Sequence, residues 1–221
     1  MATWTVHLRM AQNFLYKLPF LDKAEFVAGS VAPDCGYKKG NNTFSPPPTV
    51  THFSRTGMKN DCNYKDFASK YLLNAKTQKE YSFYLGYYIH LLTDILWSFI
   101  IYMPTYDMYG ANPISNPDFI KKIKADWSLM DIKYFCENSD FAAFEILKSI
   151  DSIEDYLDFY QKGQLMYQLR EIIDFYISQK EKVITKNPRY ISAKKVDSFI
   201  QSAYDTICVD LKNKGFDKPH M

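Results

Sequence analysis

The sequence predicts an all-α fold, a single multi-helix domain over residues 1–221, and three observations predict it. Apolar residues recur at helical spacing, most clearly at Leu165, Leu169, Ile172, Ile173, Tyr176 and Ile177, the stripe that one face of a helix buries. No alternation of apolar and polar residues runs long enough to propose a sheet. The eight glycines and ten prolines are clustered, and too few for a loop-rich all-β architecture.

The elements follow in order. Apolar positions at helical spacing run from Thr3 to Leu18, where Pro19 closes a first helix. Asp22 is placed to cap a short helix over Ala24–Val31, stopped by Pro33. Asp34 to Thr51, rich in Gly, Asn and Pro, reads as a loop, and structureless stretches of this length are usually functional. Asn63 can cap a helix through Tyr71, and Thr77 a long central one that Pro104 ends. A second Pro/Asn/Gly stretch covers Tyr106–Pro117. Helices are then expected at about Asp118–Glu137, Ser139–Ser149, Ser152–Gly163, Leu165–Lys186 and Ser192–Asn213.

Composition bounds the rest. A chain of 221 residues with 47% hydrophobic content has a real core and is not disordered. The 27 basic and 25 acidic residues leave a net charge of +2, so there is no global electrostatic case for nucleic acid or an anionic membrane as partner. Cys35, Cys62, Cys136 and Cys208 form no CxxC pair, unlike a zinc ribbon or a small disulfide scaffold, and are expected to be free thiols. Met1–Phe20 carries His7 and Arg9 among its apolar residues, with no continuous apolar core and cleavage site. It reads as mature structure, and a cytoplasmic location is the expectation. Tyr81–Met103 has no Lys or Arg and is long enough to cross a bilayer. His90 and Asp94 near its centre are expensive in lipid, so the central helix of a globular core is the preferred reading over a transmembrane segment.

His90 and Asp94 stand at i and i+4, so an imidazole and a carboxylate leave one face of this helix about one turn apart. On spacing alone a hydrogen-bonded buried pair is the preferred reading. An ionised carboxylate in a core, however, costs several kcal/mol unless a cation or strong hydrogen bonds offset it. Asp34, His52, His90 and Asp94 together make an N2O2 set suited to zinc. His7 could hold a second ion, with Asp94 as a bridge. Such a dinuclear site lowers the pKa of a bridging water and stabilises both oxygens of a phosphoryl displacement.

These residues resemble those of the bacterial zinc-dependent phospholipase C family, which is similar in fold to the single-strand-specific zinc nucleases. The matching segments are Trp4 to His7, Pro33-Asp34, Thr51-His52-Phe53 and Gly86 to Asp94, about the first 100 residues in the family's order. The resemblance implies an all-α domain of that type and phosphodiester hydrolysis by a metal-bound hydroxide. It makes Asp34, His52, His90 and Asp94 the ligands of a first zinc, with Asp34 and Asp94 the catalytic carboxylates. It gives His7 and a bridging Asp94 to a second, where the family also uses the terminal amine of a mature Trp. A small-molecule phosphoester or a phospholipid head group is the partner it implies.

Two departures stand out. Met-Ala-Thr precedes Trp4, so its amine is not terminal in this chain as written. The family's third zinc needs two later histidines and a carboxylate, yet after Asp94 the only histidine is His220, read as tail. Asp126 and Asp131 are the candidates for rebuilding that site, although five positions set them about 140° apart on a helix. Asp61, Asp66 and Asp107 are candidates to orient imidazoles, against the plainer reading of surface or capping residues. Tyr84, Tyr87, Tyr88 and Trp97 either wall a cleft or are core aromatics with satisfied polar tips. Arg55 or Lys59 could bind a phosphate near His52, or be solvated loop charges. Two functions are therefore weighed: a zinc-dependent phosphodiester hydrolase with one or two ions, and a non-catalytic, metal-stabilised helical binding protein with one closed site.

Overall fold

A computed structural model describes residues 2–40, 43–110, 118–179 and 187–219. Its helices are α1 (Trp4–Lys17), α2 (Lys23–Val31), α3 (Pro48–Thr51), α4 (Tyr64–Lys70), α5 (Gln78–Trp97), α6 (Met103–Tyr109), α7 (Phe119–Glu137), α8 (Ala142–Lys148), α9 (Gln164–Gln179) and α10 (Ala193–Lys214). The expected caps form: Asp22, Asn63 and Thr77 each accept from the backbone N–H three residues on, satisfying one of the donors that a helix start leaves open. The four cysteines are free.

The long loop between α2 and α3 is more ordered than composition suggests. It contains a minimal antiparallel pair, β1 (Tyr37–Lys38) and β2 (Phe44–Ser45), followed by the single turn α3. Pro104 does not end the central helix. Ser98–Tyr102 widens into a π turn, which places Pro104 in the first turn of α6, where its missing N–H has no partner to lose. Helix therefore continues to Tyr109, through part of the second expected loop; residues 111–117 lie outside those described.

Ser152–Gly163 is not a helix either. It is an irregular strap whose apolar residues find partners on other elements, with the ring of Tyr156 on Phe83 and the Tyr160 hydroxyl donating to the Ala32 carbonyl at 2.5 Å. Tertiary contacts override the local helical spacing there. The 180–186 end of the expected Leu165–Lys186 helix lies outside the described residues.

Helix α5 is buried along most of its length, and Gln78–Tyr109 as a whole is apolar and long enough to cross a membrane, with 78% of its most apolar window packed inside the fold. Its closest neighbour is α2, and two glycines explain the approach. A Cβ on Gly29 would lie 2.0 Å from the Phe83 carbonyl oxygen, and one on Gly86 would lie 2.3 Å from the Phe26 carbonyl oxygen. The two backbones are in contact, and this crossing sets the centre described next.

Candidate metal centre

The α2–α5 crossing places the Ser30 carbonyl against His90, whose Nδ1 lies 2.8 Å from it. A carbonyl only accepts, so Nδ1 carries the proton and Nε2 presents its lone pair inward. The same chain direction carries α2 into a 3-10 turn, Ala32–Asp34, that delivers Asp34 beside His90. His52 arrives from the end of α3. The Thr51 carbonyl accepts from the Tyr87 hydroxyl, and Thr51 Oγ1 lies 2.9 Å from His52 Nδ1. Phe53 follows in the left-handed region at φ 52°, held there by its ring contacts with Phe67, Tyr71 and Phe159.

The inward atoms have a telling spacing. His52 Nε2 lies 3.3 Å from Asp34 Oδ1, 3.5 Å from Asp94 Oδ2 and 3.3 Å from His90 Nε2. His90 Nε2 is 3.6 Å from Asp94 Oδ2. Zinc bonds of about 2.0–2.1 Å in a tetrahedron set ligand atoms about 3.4 Å apart, and these four of the six edges match that figure closely. Lys59 caps one face of the set. Its ammonium is set against His52 Nε2 and lies 3.5 Å from Asp34 Oδ1 and 3.4 Å from Asp94 Oδ2. Thr51 engages His52 Nδ1, which leaves Nε2 as the nitrogen that faces the centre.

His7, on α1, stacks on His90 with ring centroids 3.5 Å apart and places Nε2 3.6 Å from Asp94 Oδ1. The same carboxylate oxygen accepts the backbone N–H of Ala2 at 2.7 Å. Asp94 thus faces His52 and His90 with one oxygen and His7 with the other, which is how a bridging carboxylate is disposed. Trp4, by contrast, starts α1, and it is the backbone nitrogen of Ala2 that reaches the centre.

Burial lowers the His7 pKa to about 4, with His90 adding to the effect, and burial then Lys59 lower that of His52 to about 3. Burial pushes both carboxyls up, but Lys59 and the imidazoles outweigh it and hold Asp34 and Asp94 below the usual range. Neutral His7 and His52 beside two carboxylates is the protonation state that a divalent cation requires. Asp34 Oδ2, Asp94 Oδ2 and both nitrogens of His7 are buried and make no hydrogen bond, a cost that bound cations offset. The donor set fits zinc.

The structure does not bring Asp126 or Asp131 into this cluster. Asp126 is spent on the backbone N–H groups of Arg189 and Tyr190, at 2.6 and 2.7 Å. Asp131 is buried, but it accepts from the Thr3 and Tyr176 hydroxyls and so pins the segment that leads to Ala2. Burial pushes its carboxyl up to about 6. A raised folded-state pKa gives stability that is complete below the unfolded value and lost as pH rises through 6. Between pH 5.5 and 7.5 the wild type should lose on the order of 1 kcal/mol relative to Asp131→Asn. Urea unfolding of both proteins at the two pH values checks this, and parallel pH profiles would refute it.

The proposed imidazole orienters are corrected too. Asp61 accepts from Ser54 and Thr56, Asp66 pairs with the Asn63 cap, and Asp107 is exposed. A backbone carbonyl and a threonine hydroxyl hold His90 and His52 instead. Tyr84, Tyr87 and Tyr88 are core residues with satisfied hydroxyls, while Trp97 packs edge-on against Trp127 and Phe199. His220 lies outside the described residues. Two supporting residues had no readable signal: Tyr160, bonded to Ala32, and Gln164, which donates to the carbonyls of Cys35 and Ser45 at 3.0 Å each. Both brace the loop that carries Asp34.

Two cavities adjoin the cluster, and Lys59 lines both. The smaller, about 130 Å³, includes Trp4, Pro33, Asp34 and His52. The larger, about 350 Å³, runs from Lys59 past Tyr102 and Trp127, with Phe44, Met58, Met103 and Ile120 among its lining. Those last four are 40 to 53% exposed and form an apolar rim.

Comparison with known proteins bears on nearly the whole chain. The family model described as zinc dependent phospholipase C matches residues 6–213. No curated protein and no solved structure matches.

Proposed function

The chain belongs to the family of zinc-dependent phospholipases C, and from that membership and the geometry of the centre we propose that it hydrolyses the phosphodiester bond of a phospholipid. The observation that carries this reading is the convergence of Asp34, His52, His90 and Asp94 on one point, with His52 and His90 each at tetrahedral spacing from Asp94 and from one another and Asp34 at that spacing from His52, beside a cavity with an apolar rim. Those four would hold one zinc, and His7 with Asp94 a second. Zinc, when bound, would supply Lewis acidity toward the phosphoryl oxygens and would lower the pKa of a water toward neutral.

The chain's own residues do the rest. The Ser30 carbonyl fixes the His90 tautomer and Thr51 holds the His52 ring, so each turns Nε2 to the centre without rearranging. Asp34 and Asp94 stay ionised and set the charge of the centre. The cavity beside Tyr102 and Trp127 receives the apolar part of the substrate and keeps bulk water from it. Lys124 lines the same cavity, and Lys121 and Lys122 stand exposed on α7 beside Ile120, a pairing of apolar and basic groups suited to a lipid surface.

The test is hydrolysis of a short-chain phosphatidylcholine by the zinc-loaded protein, read as release of the phosphorylated head group. A strong chelator should abolish it, and added zinc should restore it. Failure to cleave either this lipid or a simple aryl phosphodiester, with zinc demonstrably bound, would leave the non-catalytic binding protein as the better account.

A further inference from the structure

We propose that the face around the larger cavity docks on an anionic lipid surface, with Phe99, Ile100 and the apolar rim entering the interface and the lysines of α7 among the head groups. The inference rests on the lipid-hydrolase reading above and adds the kind of surface on which the substrate is met.

The apolar part is built by the end of the long helical segment. The π turn sends Phe99 and Ile100 outward between the buried Ser98 and Ile101, leaving them 51% and 39% exposed. From Phe99 to Tyr109 every exposed residue except Asp107 is apolar or aromatic. A contiguous patch of this kind on a folded chain marks a contact with a membrane or another protein. Met103 makes the patch continuous with the rim of the cavity. The ring of Tyr106 lies 5.7 Å from that of Phe119, which ties α6 to the start of α7.

The charges choose the partner. Lys121, Lys122 and Lys124 are exposed in the first two turns of α7, where a cation opposes the helix dipole. Lys121 lies 3.4 Å from Asp118, but both are exposed and the pair offsets little of that cost. On the loop side of the cavity, the exposed Lys38 is the register partner of Phe44, and exposed Arg55 stands three residues before Met58. The carboxylates that share these segments are Asp107 and Asp118, so an excess of positive charge surrounds the rim. The net charge of +2 for the whole chain conceals it. In a two-fold pairing of this face with a second copy, the same lysines would be brought together. Anionic head groups offset them instead and leave the cavity facing its substrate.

Zinc-loaded protein is sedimented in the cold with sucrose-loaded vesicles of phosphatidylcholine alone, or of an equal mixture with phosphatidylglycerol. Head-group release is followed in the same tubes. Binding should be at least tenfold tighter to the mixed vesicles and should weaken as salt rises. Phe99→Gln/Ile100→Gln and Lys121→Gln/Lys122→Gln should each weaken it at least tenfold, each lysine at an anionic surface contributing roughly a factor of five. In the wild type, mixed vesicles should slow acylation of Lys121 and Lys122, detected by peptide mass. Lys79, near the start of α5 and roughly 30 Å along the helix from Phe99, should label as before. Equal binding to both vesicles overturns the role of charge. No sedimentation, binding retained in both variants, or unslowed labelling of the two lysines overturns the docking face. A dimer seen by light scattering and lost in Phe99→Gln/Ile100→Gln would assign the face to a second copy. Sedimentation without head-group release keeps the docking and sinks the hydrolysis, whereas release from a short-chain lipid without sedimentation does the reverse.

Discussion

His90→Ala is expected to abolish hydrolysis, by at least a thousandfold, and to destabilise the protein by on the order of 4–5 kcal/mol in the presence of zinc. His90 is the residue common to both candidate ligand groups, one with His7 and Asp94 and the other with Asp34 and His52. Its loss removes a ligand, leaves the Ser30 carbonyl without its donor, and opens a hole beneath the stacked His7 ring. Ligand linkage alone contributes about 4 kcal/mol when free metal is a thousand times its dissociation constant. Chelated wild type separates the terms, since it loses the metal but keeps the ring. Denaturant unfolding of wild type with zinc, wild type with chelator and the variant gives the comparison. A variant as stable and as active as zinc-loaded wild type would contradict the assignment.

The second large effect is at a residue with no chemistry. Gly86→Ala should cost roughly 3 kcal/mol and weaken zinc binding ten- to a hundredfold. The added methyl group would sit 2.3 Å from the Phe26 carbonyl oxygen and 2.9 Å from the Ser30 nitrogen. Both are backbone atoms of α2, so neither can rotate aside, and the helices must separate. Separation pulls Ser30 from His90 and frees the imidazole that it orients. Urea unfolding and zinc titration test the two halves together. A change of less than 0.5 kcal/mol in stability would mean that the crossing is looser than described.

How much of this was legible in the sequence differs by residue. His90 and Asp94 were readable because four positions on a helix fix their relation without knowledge of the fold. The helix caps at Asp22, Asn63 and Thr77 were readable for the same reason. His7, His52 and Asp34 could be put beside that pair only through their donor chemistry and a family resemblance, since nothing local joins them to α5. Lys59 looked like a loop charge because its burial depends on where Ala32–Asp34 and α5 lie. Ala2, bonded to Asp94 across 92 positions, and Asp131, bonded to Thr3 across 128, carry no local signal at all. The two misread elements have physical causes. Pro104 is tolerated because the π turn shifts the hydrogen-bond register before it, and Ser152–Gly163 gives up helix for contacts with Ala32 and Phe83.

The most direct test of the centre is the zinc content of purified wild type beside His7→Ala and His90→Ala. Two equivalents in the wild type, one in His7→Ala and little in His90→Ala are expected from a carboxylate of Asp94 shared between two ions. An unaltered content in His7→Ala would deny the second ion and the bridge. Wild type without zinc, after purification and dialysis against it, would contradict the account as a whole and return His90 and Asp94 to an ordinary buried pair.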